Sequence, residues 1–252
     1  MIRTALVART TRTGAVLAAV LGLSLTGCTP FAGDEPTSPT TTTSPTPSSS
    51  SPTAETGEGR QLTEAEAEAA LPARPEGAED VAPQSDPEGR ATDPAECLDV
   101  MRIGDEAESL RTVRVAHAKR TWRTKDPATT YGFEIDSHSR PVGPTLLDRA
   151  GAAMADCSAF SLTGRDHAGH FDLRVLAEPR TVSTLGEQSY GARLITFDQV
   201  DGKSVRVYLD YVVVRAGNNL VEVNSVHLDE DRGLAELETH AAQILEDLQV
   251  EH

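Results

Sequence analysis

Through most of the chain after Cys97, apolar residues recur at every second position, the mark of strands with one face buried. The alternation is plainest in Phe171-Asp172-Leu173-Arg174-Val175 and in the run from Val205 to Val213. It is weaker over 111–122, 129–135, 158–163, 191–198 and 219–227. Asp201-Gly202 and Gly217-Asn218-Asn219 fall between strands as turn signals, so residues from about 190 to 227 read as a meander. Elsewhere the spacing is helical. Leu62 to Leu71 has Thr63 to cap it, acids in its first turn and Pro72 to stop it. A second helix is expected from Pro144, favourable at a first helical position, to Ala155. A third runs from Gly233 to Gln249, with Leu234, Leu237, Ala241, Ile244, Leu245 and Leu248 on one face. Strands followed by a terminal helix predict an α+β fold, a twisted antiparallel sheet packed by N-terminal, middle and C-terminal helices. The roughly 190 residues concerned suffice for one buried core.

The first sixty residues follow another pattern. Arg3, Arg9 and Arg12 precede an apolar stretch from Ala15 to Leu25, and Leu25-Thr26-Gly27-Cys28 closes it. This resembles a bacterial lipoprotein signal ending in a lipobox, and the apolar run is about half of the roughly 20 residues a spanning helix needs. The resemblance implies removal of residues 1–27 and a diacylglycerol thioether on Cys28, often with a third acyl chain on its amine. Two or more chains give lasting attachment. The protein is then expected outside the cytoplasm, anchored by lipid to the outer face of the cell membrane. From Thr29 to Arg60 nearly every residue is Thr, Ser, Pro, Gly or acidic, a composition unable to bury enough apolar surface to fold. Residues 28–60 therefore form the lipidated cysteine and a disordered linker, roughly 100 Å long if fully extended and about 30 Å as a coil. Its hydroxyls are candidates for O-linked sugars. Residues 61–252 form a single domain, within which 72–94 revert to Pro, Gly and acids and read as a long surface excursion, a candidate flap.

Charge narrows the partners. The formal charge is −16, and loss of three signal-peptide arginines makes the mature chain −19. Such a chain lacks the basic stripe that neutralises phosphates, which argues against nucleic acid and against lying flat on an anionic membrane. Acidity is better read as keeping an exported protein soluble than as a cation-collecting surface. With Cys28 committed to lipid, Cys97 and Cys157 remain, and in an oxidising compartment they most simply pair with each other. Buried free thiols and a reactive thiol are the alternatives.

Chemistry-bearing motifs are sparse. There is no Gly-x-Ser-x-Gly elbow, phosphate loop, dinucleotide fingerprint or Cys-x-x-Cys. His167-Ala-Gly-His170, flanked by Asp166 and Asp172, has a metal-like spacing, but it falls where a hairpin turn would place polar residues anyway. Asp229-Glu230-Asp231 lacks the glycine and the twelfth-position Glu of a calcium loop and suits the start of a helix better. No metal and no cofactor is expected. Among the few aromatics, Trp122, Phe197 and Tyr208 are candidate ligand-binding residues, since rings offer large contact area at little entropy cost; completing the core is the competing role. Tyr208 and Tyr211 lie on opposite faces of their strand.

The segment from Cys157 onward resembles a family of high-GC Gram-positive lipoproteins and receptor ectodomains with sensor domains, related in fold to the extracellular PknH-like kinase domain. The residues that carry the likeness are Asp156-Cys157-Ser158-Ala159-Phe160 and Leu185-Gly186-Glu187-Gln188-Ser189. Tyr211-Val212-Val213-Val214-Arg215 with Gly217-Asn218-Asn219-Leu220-Val221 and the Ala/Leu-rich final helix complete it. It implies a twisted antiparallel sheet with helices on one side and a groove for an unidentified ligand. The kinase ectodomain carries two disulfides, where this chain can form one. The expected function is a lipid-anchored cell-envelope lipoprotein with a non-enzymatic sensor or ligand-binding domain. Its partners would be the membrane, through the anchor, and an unknown small molecule or envelope protein. The alternatives are an envelope hydrolase with an unrecognised site and a docking protein for another envelope component. Paired titratable groups in a deep pocket would favour the hydrolase, an apolar groove the binding module, and a flat apolar patch the docking protein.

Overall fold

A computed structural model of the protein describes residues 59–81, 88–102, 104–125, 128–166, 169–200 and 203–249. The signal segment, Cys28, nearly all of the linker, His167 and the Asp201-Gly202 turn lie outside them.

The strands are β1 (Glu79–Asp80), β2 (Glu88–Asp93), β3 (Arg114–Lys125), β4 (Ala128–His138), β5 (Ala159–Asp166), β6 (Gly169–Pro179), β7 (Gln188–Val200), β8 (Lys203–Ala216) and β9 (Asn219–His227). They form one nine-stranded sheet in the order β1-β3-β4-β9-β8-β7-β6-β5-β2. Every pairing is antiparallel. The helices are α1 (Glu64–Ala70), α2 (Asp105–Arg111), α3 (Thr145–Asp156) and α4 (Ala235–Gln249), with a 3₁₀ segment at Ala95–Met101.

β8 shows how the sheet is built. Its buried residues alternate between two apolar clusters, Tyr211 and Val213 in one and Val212 and Val214 in the other. The unbroken run Tyr211–Val214 thus has both faces buried, not one. The first cluster includes Cys97, Val100 and Met101 of the 3₁₀ segment with Leu146, Leu147, Ala150 and Met154 of α3. The second includes Ala67 and Ala70 of α1 with Leu237, Ala241, Ile244, Leu245 and Leu248 of α4. Helical residues therefore meet both faces of the sheet, a departure from the one-sided arrangement that the family likeness implies.

Two expectations about local structure change. Residues 72–94 contain β1 and β2, the strands at the two ends of the sheet order. Neither has an apolar alternation to announce it, because an edge strand needs only a ladder partner. α2 and the 3₁₀ segment are also additions, since each is only seven residues long and spans too few turns to set a readable period.

At α1 the sequence signal holds in detail. The Thr63 hydroxyl accepts from the Glu66 amide, and the Glu66 carboxylate accepts from the Thr63 amide at 2.7 Å, a capping box. The Thr63 hydroxyl, which donates to the Glu66 carboxylate at 2.7 Å, and then the Thr63 amide pull the Glu66 pKa down to about 2. Just before it, the chain passes along the β8–β9 turn. The Asn219 side chain donates to the Arg60 carbonyl at 3.0 Å, and the Leu62 amide donates to Ser137 Oγ at 2.8 Å. Gly217 sits in that turn with φ +57, and a Cβ there would lie 2.6 Å from Gly59 Cα, so close approach and backbone conformation both require glycine.

Candidate functional site

Cys97 and Cys157 form a disulfide with a Cα–Cα distance of 5.5 Å, joining the 3₁₀ segment to the C-cap of α3. Of the alternatives open from sequence, pairing is the one realised. Two tyrosine hydroxyls rising from the sheet, Tyr190 and Tyr211, both donate to the Val100 carbonyl, at 3.3 and 2.6 Å. Arg149 of α3 donates twice to Asp99, at 3.2 and 2.7 Å. The 3₁₀ segment is thereby held over the first cluster. It ends at Arg102, whose left-handed φ of 56 turns the chain toward α2.

Below this segment lie two clefts that share Met101 as a wall. One encloses about 570 Å³ of space, part of it open to solvent, over a floor that includes Leu173, Val175, Leu194, Leu209 and Val226, with Phe197 and Asp198 also lining it. These floor residues come from four neighbouring strands, β6, β7, β8 and β9. The other cleft encloses about 640 Å³, also partly open, and is lined by charge: Arg90, Arg102, Arg111 and Arg114 with Glu134, Asp136 and Glu222. Arg90 lies on β2 and Arg114 on β3, strands near opposite ends of the sheet order. The sheet must curl for both to line one cleft.

Cross-strand register sets this charged floor. His117 stands opposite Asp136, Lys119 opposite Glu134, and Glu134 opposite Glu222. Two acids side by side would repel, and Arg102 sits against them, forming an ion pair with Glu222. Arg114 Nη1 lies 3.0 Å from Asp136 Oδ1, and His117 Nδ1 lies 2.9 Å from the same oxygen. Lys119 Nζ is 3.7 Å from Glu134. Glu134 is only 8% exposed. Burial, then the neighbouring Asp136 charge, pushes its pKa up to about 7, against the pull of Lys119, His117 and Arg102. Burial also works to raise Asp136, but the hydrogen bond with His117 and the charge of Arg114 hold it below the usual range. His117 is raised, chiefly by that hydrogen bond, and His138 is lowered by burial.

The ligand atoms of His117, Glu134 and Asp136 all lie within 4.8 Å of one another, so these three are the group among the described residues with the donors to hold a metal ion. Arg114 and Lys119 already neutralise the carboxylates, and a divalent ion would have to displace them. The cluster as it stands is a salt-bridged floor. Sequence reading passed over it because Glu134 and Asp136 alternate with Phe133 and Ile135, which reads as a solvated strand face; the visible signal was two acids in an otherwise apolar strand. Of the earlier metal-like spacings, His170 is exposed on β6 opposite Arg165. Asp229 accepts from the Asp231 amide at 3.0 Å, forming a turn ahead of α4.

The three aromatic candidates are not brought together. Trp122, 1% exposed, belongs to the second cluster, its ring 4.3 Å from that of Phe133. Tyr208, 2% exposed, alternates with the cleft residues Val207 and Leu209 and so points to the opposite face. There it stacks on His227 at 5.8 Å with Arg193 5.0 Å from its ring centre. Phe197, 42% exposed, lines the apolar cleft. On the face opposite the cleft lies a further polar group. Arg193 Nε and Nη2 donate to the two oxygens of Asp210 at 2.7 and 2.8 Å, and His227 Nε2 lies 2.9 Å from Asp210 Oδ2. Arg193 also donates to the carbonyls of Glu230 and Arg232, at 2.6 and 2.5 Å, fixing the approach to α4.

A curled antiparallel sheet with a disulfide-held cap over a cleft defines the class of fold. Among solved structures, the extracellular domain of PknH from Mycobacterium tuberculosis is similar to it. The TM-score is 0.55 at 12% identity, over 76% of this chain and 99% of that one. An uncharacterized protein from Mycobacterium smegmatis aligns with a TM-score of 0.34 at 12% identity, over 69% of this chain and 86% of that one. No family model matches the chain, and no curated protein matches it by sequence.

Proposed function

We propose that the protein is a lipid-anchored lipoprotein of the cell envelope whose folded domain is a non-enzymatic sensor or ligand-binding module, with the ligand in the cleft beneath the 3₁₀ segment. The observation that carries this reading is the apolar cleft roofed by Met101, a partly open concave surface of buried aliphatic side chains, which suits ligand capture. An extracytoplasmic location is supported by the disulfide, by the lipobox-like sequence at Cys28, and by the fold shared with an ectodomain. Of the sequence candidates, Phe197 is the one on the cleft and the one we retain as a contact.

The buried Glu134–Asp136–His117 group favours a second reading, a hydrolase, because a carboxyl group with a pKa near 7 suits proton transfer. Against it, each of the three is engaged by a cation or by its neighbour across the ladder.

The test is native mass spectrometry of the protein purified from its own host, for the parent and for Thr196→Trp, which places a large ring at the cleft. A retained small molecule in the parent that is lost in a folded Thr196→Trp is the expected result. A ligand retained equally by both removes the cleft from the proposal. Anchoring is tested separately. Cys28→Ala should release the protein from membranes or leave an unprocessed precursor, and a variant processed and retained like the parent ends that part of the reading.

A further inference from the structure

Building on the cleft reading above, we infer that the ligand is a single-chain amphiphile with an anionic head, its tail on the apolar floor and its carboxylate or phosphate among the arginines. The two clefts adjoin: Met101 lines both, and β9 runs beneath both, with Glu222 on the charged floor and Val226 on the apolar one. The four residue steps from Glu222 to Val226 span about 13 Å at roughly 3.3 Å per residue.

Charge sets the sign of the head. The chain holds 39 acids against 23 basic residues, yet four arginines line the charged cleft against three carboxylates. Lys119 and His117 add cationic character on the same strand face, beside Glu134 and Asp136, while His138 is lowered by burial. Glu134 is the acid among them that burial brings toward neutrality. Guanidinium groups bind oxyanions by paired, charge-assisted hydrogen bonds. Arg102 and Arg111 are already ion-paired with Glu222 and Glu108, but the buried Nε of each has no hydrogen-bond partner among the described residues and remains for an incoming oxyanion. Asp198 stands at the apolar end and disfavours an anion there, which fixes the direction of the ligand.

The experiment titrates the full chain carrying Cys28→Ala with decanoate, decyl phosphate, decyltrimethylammonium and decyl maltoside, each below its micelle concentration, and with inorganic phosphate. Decanoate and decyl phosphate should bind at least tenfold more tightly than the cationic and neutral probes and far more tightly than inorganic phosphate. Lengthening the tail should tighten binding about fourfold per methylene, the equivalent of about 0.8 kcal/mol. Arg90→Glu with Arg111→Glu, both half-buried in the lining of the charged cleft, should reverse the preference between decanoate and decyltrimethylammonium. Thr196→Trp should weaken every decyl probe, with melting temperatures confirming that each variant is folded. Preference for decanoate over decyl phosphate, or the reverse, distinguishes a fatty acid from a phosphate-headed lipid. Equal affinity for all decyl probes overturns the anionic head and leaves the cleft as a binding site. Inorganic phosphate binding as well as decyl phosphate overturns the tail. Binding of none of them overturns the amphiphile altogether, while the retained-ligand measurement judges the cleft independently.

Discussion

Asp210→Asn is the most informative perturbation of the fold, because it removes one charge and almost no volume from the centre of the sheet. Asp210 and Arg193 are 1% and 2% exposed at their side chains, and no water can replace the lost anion. The substitution leaves the Arg193 guanidinium buried beside a neutral amide. Removing one partner of a buried ion pair typically costs about 3–5 kcal/mol. For a domain of this size that is a fall in melting temperature of roughly 6–20 °C. Burial alone would raise the Asp210 pKa, but the bonds from Arg193 and His227 hold it below its ordinary value. A carboxylate with a lowered folded pKa contributes stability above the unfolded value near 3.9 and loses it as pH falls through the folded one. The gap between parent and variant should therefore be full at pH 7 and narrow only in strong acid. Urea denaturation at pH 7 and in strong acid, about pH 2, measures both, with unchanged m-values showing that the unfolded state is not the cause. A double variant, Arg193→Met with Asp210→Leu, should lose less than the sum of the two single variants, since the pair itself no longer carries a desolvation penalty, although it still deprives the Glu230 and Arg232 carbonyls and His227 of their partners. An Asp210→Asn protein within 1 kcal/mol of the parent, or a double variant as unstable as the sum of the singles, refutes the reasoning.

Reducing Cys97–Cys157, which closes a loop with a sequence separation of 60, should lower stability by about 4 kcal/mol on chain-entropy grounds; a melting curve with and without reductant checks it, and no free thiol should be titratable before reduction. Glu134, with its folded pKa raised to about 7, contributes stability below the unfolded pKa of about 4.5 that is lost as pH rises through 7, up to about 3 kcal/mol. Glu134→Gln should flatten that fall in a pH series of urea titrations, and an unchanged slope rules the shift out. Trp122→Ala should cost about 3–5 kcal/mol and Phe197→Ala under about 1, judged by urea midpoints, given burial of one ring and exposure of the other; similar losses for the two would contradict their placement.

Strands and long helices were legible where apolar side chains recur on a buried face, although alternation promised one covered face in β8 where Tyr211–Val214 has two. Predicted 144–155 and 233–249 became α3 and α4 with boundaries shifted by one or two residues. Legibility failed where pairing, and not side-chain burial, makes the element. β2, Glu-Gly-Arg-Ala-Thr-Asp, has no apolar residue larger than alanine, and its ladder to β5 places it. It failed again in the polar clusters, for a different reason. Arg193, Asp210 and His227 are separated by seventeen residues at each step, and only the β7–β8–β9 register brings them together. Glu134 and Asp136 have the pattern of a wet face, and it takes the curl of the sheet and the cap ending at Arg102 to make that face a cleft floor. The apolar half of the cleft was invisible for a similar reason, since a groove and a filled core use the same Leu and Val.

The packing of Gly59 and Arg60 against the β8–β9 turn has a mechanical consequence. Tension applied to the chain before Gly59 meets first the bond from Asn219 to the Arg60 carbonyl, then the bond from the Leu62 amide to Ser137 Oγ. Next in line is α1, whose Ala67 and Ala70 sit in the cluster on the far side of the sheet from the cleft. This seven-residue helix is held by Ala67 and Ala70, by the buried Leu62 and Leu71 at its ends and by Arg120, which binds Glu68 and the Leu71 and Pro72 carbonyls, whereas the strands behind it are locked by ladders on both sides. Force arriving along the chain before Gly59 would therefore be absorbed by an element that the cleft does not use, and β4, β8 and β9 would keep their register while α1 gives way.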